Sequence, residues 1–261
     1  MSVVLTSGAF DDIRSRDIRF LQEAAKLGVL TVQLWQDDAP GMAKPPKFPF
    51  AERAYVLGAI RYVTEVQVAA VESFVGASDD IWVDRESAAS TTRERRARDN
   101  GLDYRVIANS ALTGFPPAGE PTPPAARKAV VTGCYDWLHS GHVRFFEEAA
   151  SYGSLTVCVG NDATIAALKG PGHPHFPQDE RAYVVRSVRQ VWDAVISAGS
   201  GWLDADAEIR ALKPDVFIVN EDGDKACKRD YCRDLGIEYR VLKRTPAQGL
   251  PKRSSTDLRG F

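Results

Sequence analysis

The chain writes one pattern twice. GAFDDIRSRDIRFLQEAAKLGVLTVQL begins at Gly8 and GCYDWLHSGHVRFFEEAASYGSLTVCV at Gly133, an offset of 125 residues. At that offset Asp11 falls on Asp136, Ser15 on Ser140, Arg19 on Arg144 and Phe20 on Phe145. Glu23 falls on Glu148, Ala24 and Ala25 on Ala149 and Ala150, Gly28 on Gly153 and Lys44 on Lys169. With small gaps, FAERAYVLGAIRYV matches PQDERAYVVRSVRQV and LDYRVI matches IEYRVL. So many matches in order read as a duplicated unit, which must fold twice. Between the copies, GFPPAGEPTPPAAR is rich in proline and glycine and reads as a linker. The expected organisation is a domain over 1–113, a linker over 114–127 and a domain over 128–261.

Each copy opens with a short apolar run, VVLT or AVVT, that suits a buried strand. In the second copy Val143, Phe146, Ala149 and Ala150 recur at helical spacing, LTVCVG reads as a strand, and a second helix is expected over 178–190 after a loop. VWDAVIS and DVFIVN are further strands. The order is strand, helix, strand, helix, strand, strand. Apolar runs without alternation imply strands buried on both faces, hence an α/β fold: two tandem Rossmann-like domains, each a mainly parallel sheet flanked by helices.

Charge and cysteine content narrow the partners. A net charge of −2 gives no field that favours nucleic acid or a membrane surface. The basic run Arg93–Arg98 reads as a solvated helix face. Four cysteines without a CxxC pair fit a reduced, cytoplasmic protein. No apolar run approaches the roughly 18 residues of a membrane helix, and no leader pattern precedes the first strand.

In such a sheet, ligands bind beyond the carboxyl ends of the strands. GCYDWLHSGH lies there and runs into a helix. Gly133 lets the backbone turn and approach a ligand. Ser140, Gly141 and His142 stand at the helix start, where N–H groups and the helix dipole favour phosphate. His139 and His142, three apart, can point to one side and donate hydrogen bonds to phosphate oxygens. Asp136 reads as an orderer of the turn, and Arg181 as a structural ion pair. His173 and His175 fall in a Gly/Pro loop and read as loop residues in preference to substrate contacts; Trp192 and Trp202 read as packing residues, with Trp202 alternatively flanking the pocket.

With these residues in place, the second half resembles the HxGH cytidylyltransferase-like nucleotidyltransferases. That family includes glycerol-3-phosphate and ethanolamine-phosphate cytidylyltransferases and heptose-phosphate adenylyltransferases. GCYDWLHSGH is similar to the first motif of the family, NDATIAALKG to the segment with a phosphate-binding lysine, LKPDVFIVNEDGD to the nucleoside-pocket segment, and LPKRSSTDLR to the terminal Ser/Thr motif. The resemblance implies that a phosphorylated small molecule attacks the α-phosphorus of CTP or ATP and releases pyrophosphate, with Mg²⁺ accompanying the triphosphate. It implies catalytic roles for His139, His142, Lys169 and Arg253. Gly133, Cys134, Tyr135, Asp136, Gly141, Asn220, Asp222, Gly223, Asp224, Ser254, Ser255 and Thr256 would bind the nucleotide, and no protein metal ligand is expected. Arg244 and Arg253 both stand near the terminal motif, and either could be the phosphate-binding arginine. CTP is placed ahead of ATP because tandem copies resemble the ethanolamine-phosphate enzyme. A non-catalytic nucleotide-binding regulator or scaffold is the alternative of another class.

The first copy departs from the motif. His139 falls on Arg14, Gly141 on Arg16 and His142 on Asp17, and no RSST segment follows. An aspartate repels phosphate, so residues 1–112 are expected to bind no triphosphate and to pack against the second copy as an intramolecular pseudo-dimer, within a monomer or a homodimer.

Overall fold

A computed structural model describes residues 2–39, 42, 44–70, 74–117, 126–254 and 258. The chain divides into two compact units, Met1–Phe115 and Pro116–Phe261. Most of the expected linker lies outside the described residues, as do Ser255 and Thr256.

In the first unit, strands β1 (Val3–Gly8), β2 (Val29–Trp35), β3 (Glu65–Ala69), β4 (Ile81–Arg85) and β5 (Asp103–Ile107) form a sheet in the order β3-β2-β1-β4-β5. Helices α1 (Ser15–Ala25), α2 (Phe50–Gly58) and α3 (Thr91–Asp99) connect them. In the second unit, β6 (Lys128–Gly133), β7 (Ser154–Val159), β8 (Val191–Ile196), β9 (Val216–Asn220) and β10 (Glu238–Leu242) take the order β10-β9-β6-β7-β8. Read from the other edge, this is the order of the first sheet. All pairings are parallel, and the register agrees too: Val3 pairs with Val29 and Lys128 with Ser154, the same residues once 125 is added. The chain is thus an α/β protein of two Rossmann-like domains.

The second unit holds α4 (Ser140–Ala150), α5 (Asp162–Lys169), α6 (Gln178–Arg186), α7 (Asp206–Leu212) and α8 (Ala226–Leu235). Helix α4 packs on β6 and β7, and α6 on β7 and β8. Val130, Val131, Leu155, Val157, Phe217 and Ile218 are fully buried, because helices cover both faces of the central strands. Three helices and β10 go beyond the sequence expectation. Helix α5 falls where a loop was expected, and it starts because Asn161 Oδ1 accepts from Thr164 N (2.8 Å). Helices α7 and α8 and the half-exposed edge strand β10 carry too few apolar residues to register as periodic. Helix α6 stops at Arg186, short of the expected 190, where the buried Ser187 turns its hydroxyl back to Val184 O (2.6 Å).

The basic run is not wholly solvated. Arg93 is buried and grips Asp84 with Nε (2.7 Å) and Nη2 (2.9 Å), while Tyr104 Oη donates to the same carboxylate (2.9 Å). Trp202 is 49 % exposed and stands edge-on to Tyr231, so it is no core residue. No helix among the described residues is long and apolar enough to cross a membrane.

Candidate active site

The site begins where β6 ends. Tyr135 adopts φ +53°, a left-handed conformation that costs a non-glycine residue about 1–3 kcal/mol. Its ring folds back over Gly133, where a Cβ would stand 2.7 Å from the Tyr135 Cζ. The Tyr135 ring therefore leaves no room for a side chain at Gly133. Tyr135 is itself buried against His142 (ring centroids 5.3 Å apart) and Phe146 (5.2 Å). Its ring packs against the His142 imidazole. The first unit repeats the device with Phe10 (φ +42°) over Gly8.

His139 is the N-cap of α4. Its Nδ1 accepts from Gly141 N (3.1 Å), so the neutral ring carries its proton on Nε2, a donor for an incoming oxygen. The His139 and His142 rings stack at 3.9 Å and 22°. Burial lowers both pKa values. Repulsion from His142, Arg244 and Arg253 adds to this at His139, and Arg244 helps push His142 down to about 4. At neutral pH both rings are uncharged: His139 offers its Nε2–H as a donor at the helix N-terminus, whereas His142 gives its single N–H to the Trp137 backbone carbonyl.

Asp136 faces away from this pair. Its carboxylate accepts from His175 N (2.8 and 2.9 Å) and Phe176 N (3.0 Å), and these bonds hold its pKa low against the opposing effect of burial. That pins the loop before α6 to the β6–α4 turn, as Asp11 pins Lys47 N (2.7 Å) and Phe48 N (2.9 Å) in the first unit. Arg181 is buried and donates to Phe176 O (2.9 Å), Cys134 O (2.6 Å), Gly160 O (2.8 Å) and Asp162 Oδ1 (2.7 Å). It is the structural fork that the sequence favoured, and Arg53 makes the equivalent one. The Cys134 thiol is pushed up by burial and hydrogen-bonded by Lys169, which ends α5 and also bears electrostatically on His142.

Beside the α4 N-terminus a cleft is lined by Gly141, Phe145, Asn220, the acid Glu148 and the cations Arg144, Lys243, Arg244, Lys252 and Arg253. Arg244 donates to Asp222 Oδ2 (2.6 Å) and to Arg253 O (2.9 Å), which ties the terminal segment to the turn after β9. Arg253 O would lie 3.1 Å from a Cβ on Gly141, so the glycine lets that segment pass close over the helix start. Both candidate arginines, Arg244 and Arg253, thus belong to the cleft, together with the strand-end Asn220. Asp224 does not join them, because Arg229 and Tyr239 Oη (3.1 Å) occupy its carboxylate. The Gly223 carbonyl accepts from Lys228 (3.1 Å). Sequence reasoning missed Lys243 and Lys252, whose only signal was the basic character of LKRTPAQGLPKR.

The matching end of the first sheet is acidic. A pocket there is lined by Asp11, Asp12, Asp17, Asp84 and Arg85 among others. Arg85 bonds Asp17 (2.7 Å) and lies over the Phe20 ring (4.6 Å).

Residues 130–260 match the cytidylyltransferase-like family. The HldE bifunctional protein of Pseudomonas fluorescens is 36% identical over 127 residues, which cover 48% of this chain and 25% of that one. The FAD synthase of Pyrococcus abyssi is 35% identical over 119 residues, 44% of this chain and 78% of that one. Among solved structures, a lipopolysaccharide core biosynthesis protein from Thermoplasma volcanium is 23% identical and covers 47% of this chain and 98% of that one, at a TM-score of 0.40. The match spans a quarter of the length of the HldE relative.

Proposed function

The chain belongs to the cytidylyltransferase-like family, and from that premise we propose that its second unit is a nucleotidyltransferase. It joins a nucleoside monophosphate to a phosphorylated small molecule. An acceptor phosphate oxygen bonds to the α-phosphorus as the bond to the β-bridging oxygen breaks, and pyrophosphate leaves. The observation that carries this reading is the stacked, uncharged His139–His142 pair at the start of α4, beside a cleft rich in cations. The chemistry asks for positioning and charge stabilisation more than covalent participation. His139 Nε2 donates to triphosphate oxygens, and His142 does so by turning its single N–H from the Trp137 carbonyl to the ligand; Lys169 and Arg253 neutralise charge on the leaving group, and Ser254, with Ser255 and Thr256, adds hydroxyl donors. Cys134, Gly141, Asn220 and Asp222 complete the nucleotide's surroundings.

Glu148 is paired with Arg144 (2.8 Å) and Asp222 with Arg244 (2.6 Å), so these carboxylates beside the cleft are engaged. Such a donor set suits phosphate better than a hard cation. Mg²⁺ would accordingly ride on triphosphate oxygens and water, where it neutralises charge. The base is the finer question. Similarity to an FAD synthase, whose product carries an adenylyl group, favours ATP over the CTP expected from tandem copies.

The test is pyrophosphate release from protein, Mg²⁺, CTP or ATP and a panel of phosphate esters. Turnover that falls at least about 100-fold in His142→Ala is expected, the usual scale for removal of a charge-stabilising donor. Intact nucleotide binding with no turnover across the panel would overturn the enzyme reading in favour of a regulator. A larger thermal shift with ATP than with CTP would support the adenylyl reading.

A further inference from the structure

Asp136 is explained by the scaffold, but its two histidine neighbours are not. Ligand atoms of Asp136, His173 and His175 lie within 4.8 Å of one another. His173 Nδ1 is 3.5 Å from Asp136 Oδ2, long for a hydrogen bond, and the two imidazole rings are 4.7 Å apart. In the first unit the same turn is pinned by Asp11, and there Pro45, Pro46 and Lys47 stand where His173, Pro174 and His175 stand in the second. The turn therefore folds without imidazoles. The second unit adds two of them around a buried carboxylate that the backbone already orients.

We propose that Asp136, His173 and His175 form a binding site for a divalent transition-metal ion of the Zn²⁺ class. Two imidazole nitrogens and one carboxylate oxygen are the donor set of three-ligand zinc sites, which leave a fourth position open, and nitrogen donors select against Mg²⁺. Carboxylate capacity is sufficient. A carboxylate offers about four lone-pair sites; Oδ1 accepts from His175 N and Phe176 N, whereas Oδ2 accepts from His175 N and faces His173. An ion between Oδ2 and His173 Nδ1 replaces that long contact, and the N–H bonds on the carboxylate hold its orientation. His175 is exposed, which gives a path of entry, and Trp137 stands edge-on to its ring at 6.4 Å. The ion would clamp the loop before α6 to the turn that delivers His139.

The site is read without turnover, so its failure is separate from that of the proposed transferase activity. The full chain, freed of metal by chelation, is titrated with Zn²⁺ by calorimetry and with Co²⁺ by visible absorption. One ion per chain, visible Co²⁺ bands and a raised Tm are expected, with no response to Mg²⁺ at the same concentration. The decisive variant is His173→Pro with His175→Lys, which installs the first unit's own residues and keeps the turn. It should lose at least about 100-fold in Zn²⁺ affinity, the upper end of what even an outer-shell change costs a metal site. Zn²⁺ binding unchanged in that variant, or no stoichiometric binding by the parent chain, overturns the site.

Discussion

The histidines derive their chemistry from their surroundings, and pH should report it. Burial and Arg244 push His142 to about 4, below the ordinary value near 6.5. Between those values the unfolded chain binds a proton at His142 that the native chain does not, so the contribution of His142 to stability falls as pH drops from about 6.5 to about 4 and levels off below, while His139, lowered further, adds its own loss. In His142→Gln that part of the slope should vanish. Denaturation midpoints of both proteins, taken across that window, check it, and parallel profiles would show that His142 titrates normally. Gly133 makes a second prediction. A methyl 2.7 Å from the buried Tyr135 ring forces overpacking, so Gly133→Ala should destabilise by about 1–3 kcal/mol. In a Tyr135→Gly background the same change should cost less, a comparison read by a double-mutant cycle in urea. The HSGH motif was legible as a candidate phosphate site because its residue types carry their own chemistry. The reason for Gly133 was not legible, since it depends on where a side chain two residues later folds back.

Arginine forks connect the elements. Arg181, from α6, takes the carbonyls at the ends of β6 and β7 and before α6, along with Asp162 at the start of α5. Arg181→Ala leaves those carbonyls without a donor and should destabilise the second unit by about 3–5 kcal/mol, the usual cost of breaking a buried charged network. Arg181→Lys should recover only part of this, because one ammonium cannot span the fork. Denaturant melts of the two variants test the order; an Arg181→Lys protein as stable as the parent would show that charge alone suffices. This assignment could be favoured from sequence because DERAY recurs in both copies. The short helices were harder. Helix α5 is short and is held at its start by polar bonds, the Asn161 cap, Gln178 on Asp162 N and Arg181 on the Asp162 carboxylate, while β10 exposes Arg240 and Val241 at the sheet edge, so neither carries the apolar pattern that marks a central element. Central elements announce themselves through burial, and edge elements do so only through contacts the chain makes once folded.

At the scale of the whole molecule, the two units share strand order and register but not chemistry. Where α4 opens with stacked, neutral imidazoles, α1 opens with Arg14 and Asp17. Asp17 Oδ2 accepts from Arg14 N (2.7 Å), and its other oxygen pairs with Arg85 from the end of β4. Four aspartates line that pocket, so a triphosphate would meet fixed negative charge where the second unit presents cations. The positions that would answer to the terminal segment carry NSALTGFPP in place of RSST. The chain should therefore bind one nucleoside triphosphate, not two. Calorimetric titration with the better of ATP and CTP should give a stoichiometry near one. Gly141→Ala, whose methyl would press on Arg253 O, should weaken that single event, while a change confined to the first pocket, Asp12→Ala, should leave it unaltered. A stoichiometry near two, or an event weakened by Asp12→Ala, would mean that the first unit keeps a nucleotide site despite its acids.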